Sequence, residues 1–356
     1  MSTNGKVGIG IIGSGGIAQG VHLPAYAKLR DEGKVEIVAV ADANETTAKT
    51  AAEKFIIPNV FNDYRDLLKL SEIDAVSICT PNFLHKVPTI DAFAAGKNVL
   101  VEKPIALNAI EGAEMVAAGH AAGKILQIGL NLRFGAAPQA VKRMADAGKF
   151  GQIYYARAHA LRRRGVPSWG VFTQKDKQGG GPLIDIGVHI LDMTLWLMGH
   201  PEPVSVSGQA YREFGNREGV FNVFGPWNPK IYSVEDFAVG HVKFKNGATL
   251  TLESSFVANI GKDEFSTSLM GTEGGLFLDL ADNTNSRIFR EENGALTDTS
   301  LASLPTVASH EQEVRAFVNA VLDGTPALVP GEQGLMVSAI LDAIYESSET
   351  GKEVLL

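Results

Sequence analysis

At 356 residues, with 45% hydrophobic and 20% charged residues, the chain is long enough for two hydrophobic cores and fits neither a disordered nor a membrane composition. Its formal net charge of −8 opposes a general nucleic-acid surface, because phosphate binding needs concentrated positive charge. The single cysteine, Cys79, excludes an intramolecular disulfide framework and fits a reducing compartment; Val7–Ile12 is only strand length before glycines follow, so neither signal peptide nor membrane span is expected, and a cytoplasmic location is.

The first third alternates β-branched runs with helix formers. Strands are predicted at Val7–Ile12, Val35–Ala41, Ala75–Ile78, Asn98–Val101 and Ile125–Ile128, with helices at Glu45–Phe55, Tyr64–Leu70, Val87–Ala95 and Ala109–Ala121. That order implies helical crossovers covering a doubly wound parallel sheet, a Rossmann domain over residues 1–130. Beyond Arg133 the strand-like runs crowd together: Ile153–Leu161, Val204–Tyr211, Phe237–Phe244, Thr249–Phe256 and Phe265–Met270. Hairpin-like turns at Lys245-Asn246-Gly247 and Thr272-Glu273-Gly274-Gly275 predict an open, mainly antiparallel sheet in an α+β domain over residues 131–356. Helices predicted at Glu311–Leu322 and Gly334–Ser347 close the chain, and either can pack back on the first domain. An open sheet has a face to cover, so a homodimer or homotetramer is expected.

Directly after the first strand, Gly13-Ser14-Gly15-Gly16-Ile17-Ala18 is a G-x-G-x-x-A form of the dinucleotide fingerprint. Glycine permits the turn and lets backbone N–H groups approach a pyrophosphate, while a helix start faces that anion with partial positive charge. By itself such a match is equally a plain strand-to-helix turn. The second strand adds Asp42 at its end, a carboxylate able to accept hydrogen bonds from ribose hydroxyls and to repel a ribose phosphate, which favours NAD over NADP. The competing role for Asp42 is a cap on the following helix.

Strand Ala75–Ile78 runs into Cys79-Thr80-Pro81-Asn82-Phe83-Leu84-His85, and strand Asn98–Val101 into Glu102-Lys103-Pro104, so polar groups gather at the sheet edge where such folds bind ligands. A cis Lys103–Pro104 bond is compatible with that turn. Taken alone, Lys103 also reads as a surface lysine. The third cluster is Gly179-Gly180-Gly181-Pro182 leading into Asp185 and His189, four residues apart on one predicted helix face, with Asp192 beyond. A carboxylate and an imidazole among apolar neighbours point to a functional cleft, the alternative being a structural Asp192–His189 pair. No metal-ligand set is assigned.

These clusters, with Asn131-x-Arg133-Phe134, resemble the Gfo/Idh/MocA family of sugar and inositol oxidoreductases over essentially the whole chain. The resemblance implies a catalytic trio of Lys103, Asp185 and His189, a cofactor lining from Glu102 and the Thr80-Pro81-Asn82 to His85 segment, and a substrate-facing Arg133. Many inositol dehydrogenases of that family carry tyrosines where this chain has Asn259-Ile260-Gly261-Lys262-Asp263, a departure that counts against inositol itself within the sugar, glycoside and cyclitol class. The stretch Arg162 to Trp169 reads either as a loop over the nicotinamide, with Trp169 stacking and Arg162 bonding substrate hydroxyls, or as a solvated basic loop.

The expected activity is oxidation of a secondary hydroxyl on a sugar, glycoside or cyclitol. An imidazole titrates near ~6.5, against ~10.4 for a lysine, so His189 is the favoured base and Lys103 the charged stabiliser, with the reverse assignment open. Two rival activities share the fold: NAD-recycling glycoside cleavage through transient oxidation, and a non-catalytic sugar- or NAD-sensing module.

Overall fold

The structure is a computed structural model that describes residues 5–301 and 304–356. The chain divides into two compact units, Met1–Phe134 with Ala308–Leu335, and Gly135–Val307 with Met336–Leu356.

The first unit is built on six parallel strands: β1 (Val7–Ile12), β2 (Val35–Ala41), β3 (Asn59–Phe61), β4 (Ala75–Ile78), β5 (Asn98–Glu102) and β6 (Leu126–Gly129). Their order is β3-β2-β1-β4-β5-β6. The order reverses beside β1, and the carboxyl ends of β1 and β4 therefore flank the crevice where such sheets take ligands. Every residue of β1 is buried, as a strand covered on both faces requires. The covering helices are α1 (Leu23–Asp31), α2 (Glu45–Phe55), α3 (Tyr64–Leu68), α4 (Lys86–Ala94) and α5 (Ala109–Ala122). Ile9, Ile11, Val40 and Leu100 of the sheet share one core with Leu23, Tyr26 and Leu29 of α1. Val314, Phe317 and Val318, from a helix more than 170 residues beyond the last strand of the sheet, join the same core.

The second unit begins with α6 (Ala136–Asp146) and β7 (Ile153–Leu161), then α7 (Lys175–Gln178) and α8 (Val188–Leu197). Seven strands follow before the final helices: β8 (Pro203–Tyr211), β9 (Phe237–Phe244), β10 (Thr249–Ser255), β11 (Glu264–Gly271), β12 (Gly275–Asp279), β13 (Arg287–Glu292) and β14 (Ala295–Ser300). After α9 (Ser309–Asp323), which lies in the first unit, and α10 (Gly331–Thr350), the short β15 (Val354–Leu355) pairs with β8. The sheet order is β14-β13-β12-β11-β7-β10-β9-β8-β15; β7 and β10 run parallel and every other neighbouring pair is antiparallel.

Both expected hairpins form, β9–β10 across Lys245-Asn246-Gly247 and β11–β12 across the Thr272–Gly275 turn. Alternation sets the two faces of the sheet. Ala156, Ala158 and Ala160 of β7 and Leu250 and Leu252 of β10 are buried, on the side where α8 packs against β7. The opposite face is mixed: Met270, Phe277 and Val239 share it with polar side chains, among them Tyr155 with its Oη 3.0 Å from Thr251 Oγ1 and His159 with its Nδ1 2.8 Å from Glu264 Oε1. No helix among the described residues is long and apolar enough to cross a membrane.

Candidate active site

Gly13, the residue after β1, sits at φ +85°, a conformation costly for any residue with a side chain. A Cβ there would also meet the Cys79 carbonyl group at 2.9 Å. Gly15 and Gly16 instead face open space, where added Cβ atoms would meet nothing within 4 Å. The loop thus leaves room for a ligand to approach its backbone, as the dinucleotide fingerprint demands. A cavity of about 430 Å³ opens beside it, lined by Gly13, Gly15, Asp42, Tyr64, Thr80 and Pro81 among others.

Asp42 is fixed toward the loop. Its Oδ2 accepts the Ser14 N–H at 2.7 Å and the Ser14 hydroxyl at 3.0 Å, and its Oδ1 accepts the Asn44 N–H at 2.8 Å. The cap of α2 is Asn44, whose Oδ1 accepts from Thr46 and Thr47. The capping alternative for Asp42 is therefore removed. Sequence reasoning missed Asn62, Tyr64 and Arg65, which line the same cavity; they follow a three-residue strand too short to show periodicity.

After the loop the chain enters a π-helical turn, Ala18–His22, before α1. This turn delivers His22 into the interior, fully buried, with Nε2 2.9 Å from Glu102 Oε1 and Nδ1 3.3 Å from Ser77 Oγ. Ser77 Oγ is in turn 2.7 Å from the Tyr26 hydroxyl. β5 runs one residue past the expected end, so Glu102 is its last residue and is buried. Its second oxygen accepts the Lys103 backbone N–H at 3.2 Å.

Burial alone would raise the carboxyl pKa, but the hydrogen bond and charge of His22, with Lys103 nearby, hold Glu102 down at about 2. His22 moves in the complementary direction: burial disfavours its charge, and Cys79 and Glu102 together raise it well above the ordinary imidazole value.

Lys103 is half-buried, and the Lys103–Pro104 bond is cis. His85, assigned to the cofactor lining, is buried with Nδ1 2.8 Å from the Pro104 carbonyl oxygen and Nε2 2.9 Å from that of Thr80. It staples the turn after β4 to the turn after β5. Burial lowers its pKa, against the pull of the two carbonyl oxygens. Arg133, assigned to the substrate, is fully buried in the first unit, where Nη1 donates to the Leu328 carbonyl and to Gln333.

In the second unit the glycine run is clamped by Glu235, which sequence reasoning did not single out. Gly181 packs so close that a Cβ would sit 2.2 Å from the Glu235 carbonyl oxygen. The buried Glu235 carboxylate accepts the N–H groups of Gly181 at 2.9 Å and Leu183 at 3.1 Å, and the Tyr345 hydroxyl at 2.8 Å. Burial raises its pKa, opposed by those donors.

The predicted single helix carrying Asp185 and His189 is in fact two segments. A π-helical turn, Leu183–Gly187, holds Asp185, and α8 begins at Val188 with His189 in its first turn. Such wide turns recur at functional sites. Asp185 is buried with Oδ2 3.8 Å from Arg162 Nη1, and His189 is half-buried.

Arg162 also lies over the rings of Phe224 and Phe256, at 5.8 and 5.7 Å. The two arginines beside it are tied elsewhere, Arg163 to Asp263 and Gly261 and Arg164 to Ala258 and Asn259. The Asn259 to Asp263 stretch thus serves as an anchor for this loop. Trp169, 54% exposed, makes edge contacts with Phe172 and Phe224.

Residues 7–130 match the family model described as oxidoreductase family, NAD-binding Rossmann fold, and residues 142–356 match oxidoreductase family, C-terminal alpha/beta domain. The chain is 36% identical over 354 residues to a D-glucoside 3-dehydrogenase of Escherichia coli (strain K12), covering 99% of this chain and 98% of that one. It is 26% identical over 339 residues to a levoglucosan dehydrogenase of Pseudarthrobacter phenanthrenivorans, covering 87% and 86%. The fold matches that of a levoglucosan dehydrogenase solved in complex with NADH, with a TM-score of 0.86 at 23% identity over 98% of this chain and 99% of the other.

Proposed function

Because the chain belongs to the Gfo/Idh/MocA oxidoreductase family and carries its NAD-binding Rossmann domain, we propose that it oxidises a secondary hydroxyl of a sugar, glycoside or cyclitol, with a glucoside favoured. The observation that carries this reading is the 36% identity to a D-glucoside 3-dehydrogenase across 99% of this chain and 98% of that one.

The cofactor site fits NAD. Gly15 and Gly16 leave the loop open to a pyrophosphate, between Gly13, which makes the turn, and Ile17 at the helix start; Asp42 presents a fixed carboxylate to ribose hydroxyls, and Thr80 and Pro81 line the cavity. When bound, NAD supplies the hydride acceptor.

Lys103, Asp185 and His189 are proposed to serve one reaction. His189 takes the hydroxyl proton, an imidazole being a side chain able to accept a proton from a reacting hydroxyl. Lys103 stabilises the developing alkoxide by charge. Asp185, held beside Arg162, binds a neighbouring hydroxyl, and Arg162 orients the same polyol. Trp169, exposed at the edge of its aromatic group, covers the nicotinamide or the sugar ring. For Glu102, His85 and Arg133, burial supports roles behind the reacting groups.

The rival glycoside-cleaving reaction is separated by its products: released aglycone with no accumulation of reduced cofactor, where the dehydrogenase reading expects reduced nicotinamide to build up in step with oxidised sugar. Homodimer or homotetramer formation is proposed through the mixed polar and apolar face of the nine-stranded sheet opposite α8, with sedimentation velocity as its check.

A further inference from the structure

Among the buried ionisable groups that the proposed reaction leaves without a task, His22 is the one that reaches toward the candidate trio. His22 lies at the end of the π-helical turn that grows out of the cofactor loop, and its side chain is fully buried. Its Nε2 meets Glu102 Oε1 at 2.9 Å, and a carboxylate partner requires that nitrogen to be the donor. The other oxygen of the same carboxylate holds the Lys103 backbone N–H. Two residues eighty positions apart are thus linked through one carboxylate to the lysine of the candidate trio.

The start of this path is tied as firmly as its end. Gln19, in the same π-helical turn, donates its backbone N–H to the Gly15 carbonyl at 3.0 Å and its side-chain amide to the Ser14 carbonyl at 2.8 Å. Ser14 is itself bonded to Asp42. The cofactor loop is thus tied to the π-helical turn through Gln19, the backbone of that turn carries His22, and the His22–Glu102 pair reaches the Lys103 backbone.

Resting on the reading that Lys103 serves hydride transfer, we propose that His22 is a positioning residue for Lys103, acting through Glu102 and coupling the lysine to the cofactor loop. A regular α-helical start after the loop would rotate residue 22 differently; the wider turn is what aims it at β5. The groups around the pair are Ser77 and Tyr26 on one side, with Cys79, Lys103 and His310 acting on it electrostatically. An ion pair with this little solvent and this many fixed partners holds one geometry, which is what a positioned lysine needs.

Two substitutions separate the two ring nitrogens. In His22→Gln the side-chain amide reaches the place of Nε2 and retains a donor for Glu102; in His22→Asn the amide reaches only the place of Nδ1, keeping Ser77 and losing Glu102. With NAD and methyl glucoside, His22→Asn is expected to lower kcat about 30-fold, the range that misplacement of a catalytic group produces. KM and the NAD Kd stay within about threefold, and His22→Gln recovers kcat to within about fivefold. Adding Glu102→Gln to His22→Asn lowers kcat by no more than about a further twofold, because the two act as one unit.

Hydrogen exchange of the Lys103 amide gives a readout that needs no turnover, and it is expected to speed up at least about tenfold in His22→Asn. The proposal is overturned if kcat is unchanged in His22→Asn, if the two substitutions add, or if kcat, NAD affinity and thermal midpoint all fall together in both His22 variants. Absence of turnover in the unsubstituted enzyme would count against the functional reading alone; Lys103 amide exchange then decides the positioning, and an unchanged rate refutes it. If His22→Asn does not fold, Glu102→Gln measured in the same way takes its place.

Discussion

Asp42 Oδ2 lies 2.7 Å from the Ser14 backbone nitrogen, so the carboxylate that follows β2 is fastened to the glycine loop. One oxygen is shared by the Ser14 amide and hydroxyl while the other takes Asn44, and a carboxylate has further lone pairs to offer a ribose. Replacing Asp42 by Ala is expected to weaken NAD by about tenfold or more, the cost of about one charged hydrogen bond, and to weaken NADP less. Calorimetric titration with both cofactors checks it, and an unchanged NAD/NADP ratio counts against the ribose role.

The buried Glu102 carboxyl sets a pH dependence of stability. Its folded value of about 2 lies below the unfolded carboxylate value, so its contribution is present above about pH 4.5 and is lost as pH falls toward about 2. Thermal or urea unfolding from pH 6 downward is expected to show that loss, and Glu102→Gln to show a shallower slope over the same interval. Equal slopes would mean that other carboxylates govern acid unfolding.

Glu235 is expected to be structural in consequence and functional in effect. Glu235→Ala leaves the Gly181 and Leu183 N–H groups and the Tyr345 hydroxyl without their acceptor. At about 1–3 kcal/mol for each buried orphan, partly relieved by water, a loss of about 2–4 kcal/mol is expected in urea unfolding. Because the same N–H groups shape the entrance to the Asp185 turn, sugar turnover should fall even where the variant remains folded. Activity unchanged in a folded variant would show that the clamp does not govern Asp185.

The fold was readable where periodicity was strong. Five of the six first-unit strands, the glycine loop and the two hairpin turns sit at or within a residue or two of their expected places, because buried parallel strands and Asn-Gly or Gly-Gly turns leave local signatures. β3, β12, β13, β14 and β15 were not predicted as strands: β3 and β15 are shorter than any periodic window, and β14, at the edge of the sheet, is almost wholly exposed.

The site was legible as motifs and less so as geometry. Asp185 and His189 looked like one helix face because sequence spacing assumes 3.6 residues per turn, and a π-helical turn carries no signal of its own. The His22–Glu102 link joins residues eighty positions apart, and Glu235 lies in an irregular segment just before β9; neither has a local pattern to reveal it.

Lys103→Ala and His189→Ala are each expected to reduce hydride transfer by about 10³-fold or more, the scale of losing a stabilising charge or a general base, with NAD binding retained. Single-turnover measurements of reduced nicotinamide give the rate of the chemical step directly. Normal rates in both variants would remove them from the reaction.

The central claim is oxidation of a sugar hydroxyl at the expense of NAD. The most direct measurement incubates the purified protein with NAD and a panel of methyl and phenyl glucosides, free aldoses and inositols, following reduced nicotinamide by absorbance and products by mass spectrometry. The account predicts reduced cofactor accumulating one-for-one with a keto-glucoside or related keto-sugar. Release of aglycone without net reduced cofactor, or no reaction with any member of the panel, would contradict it.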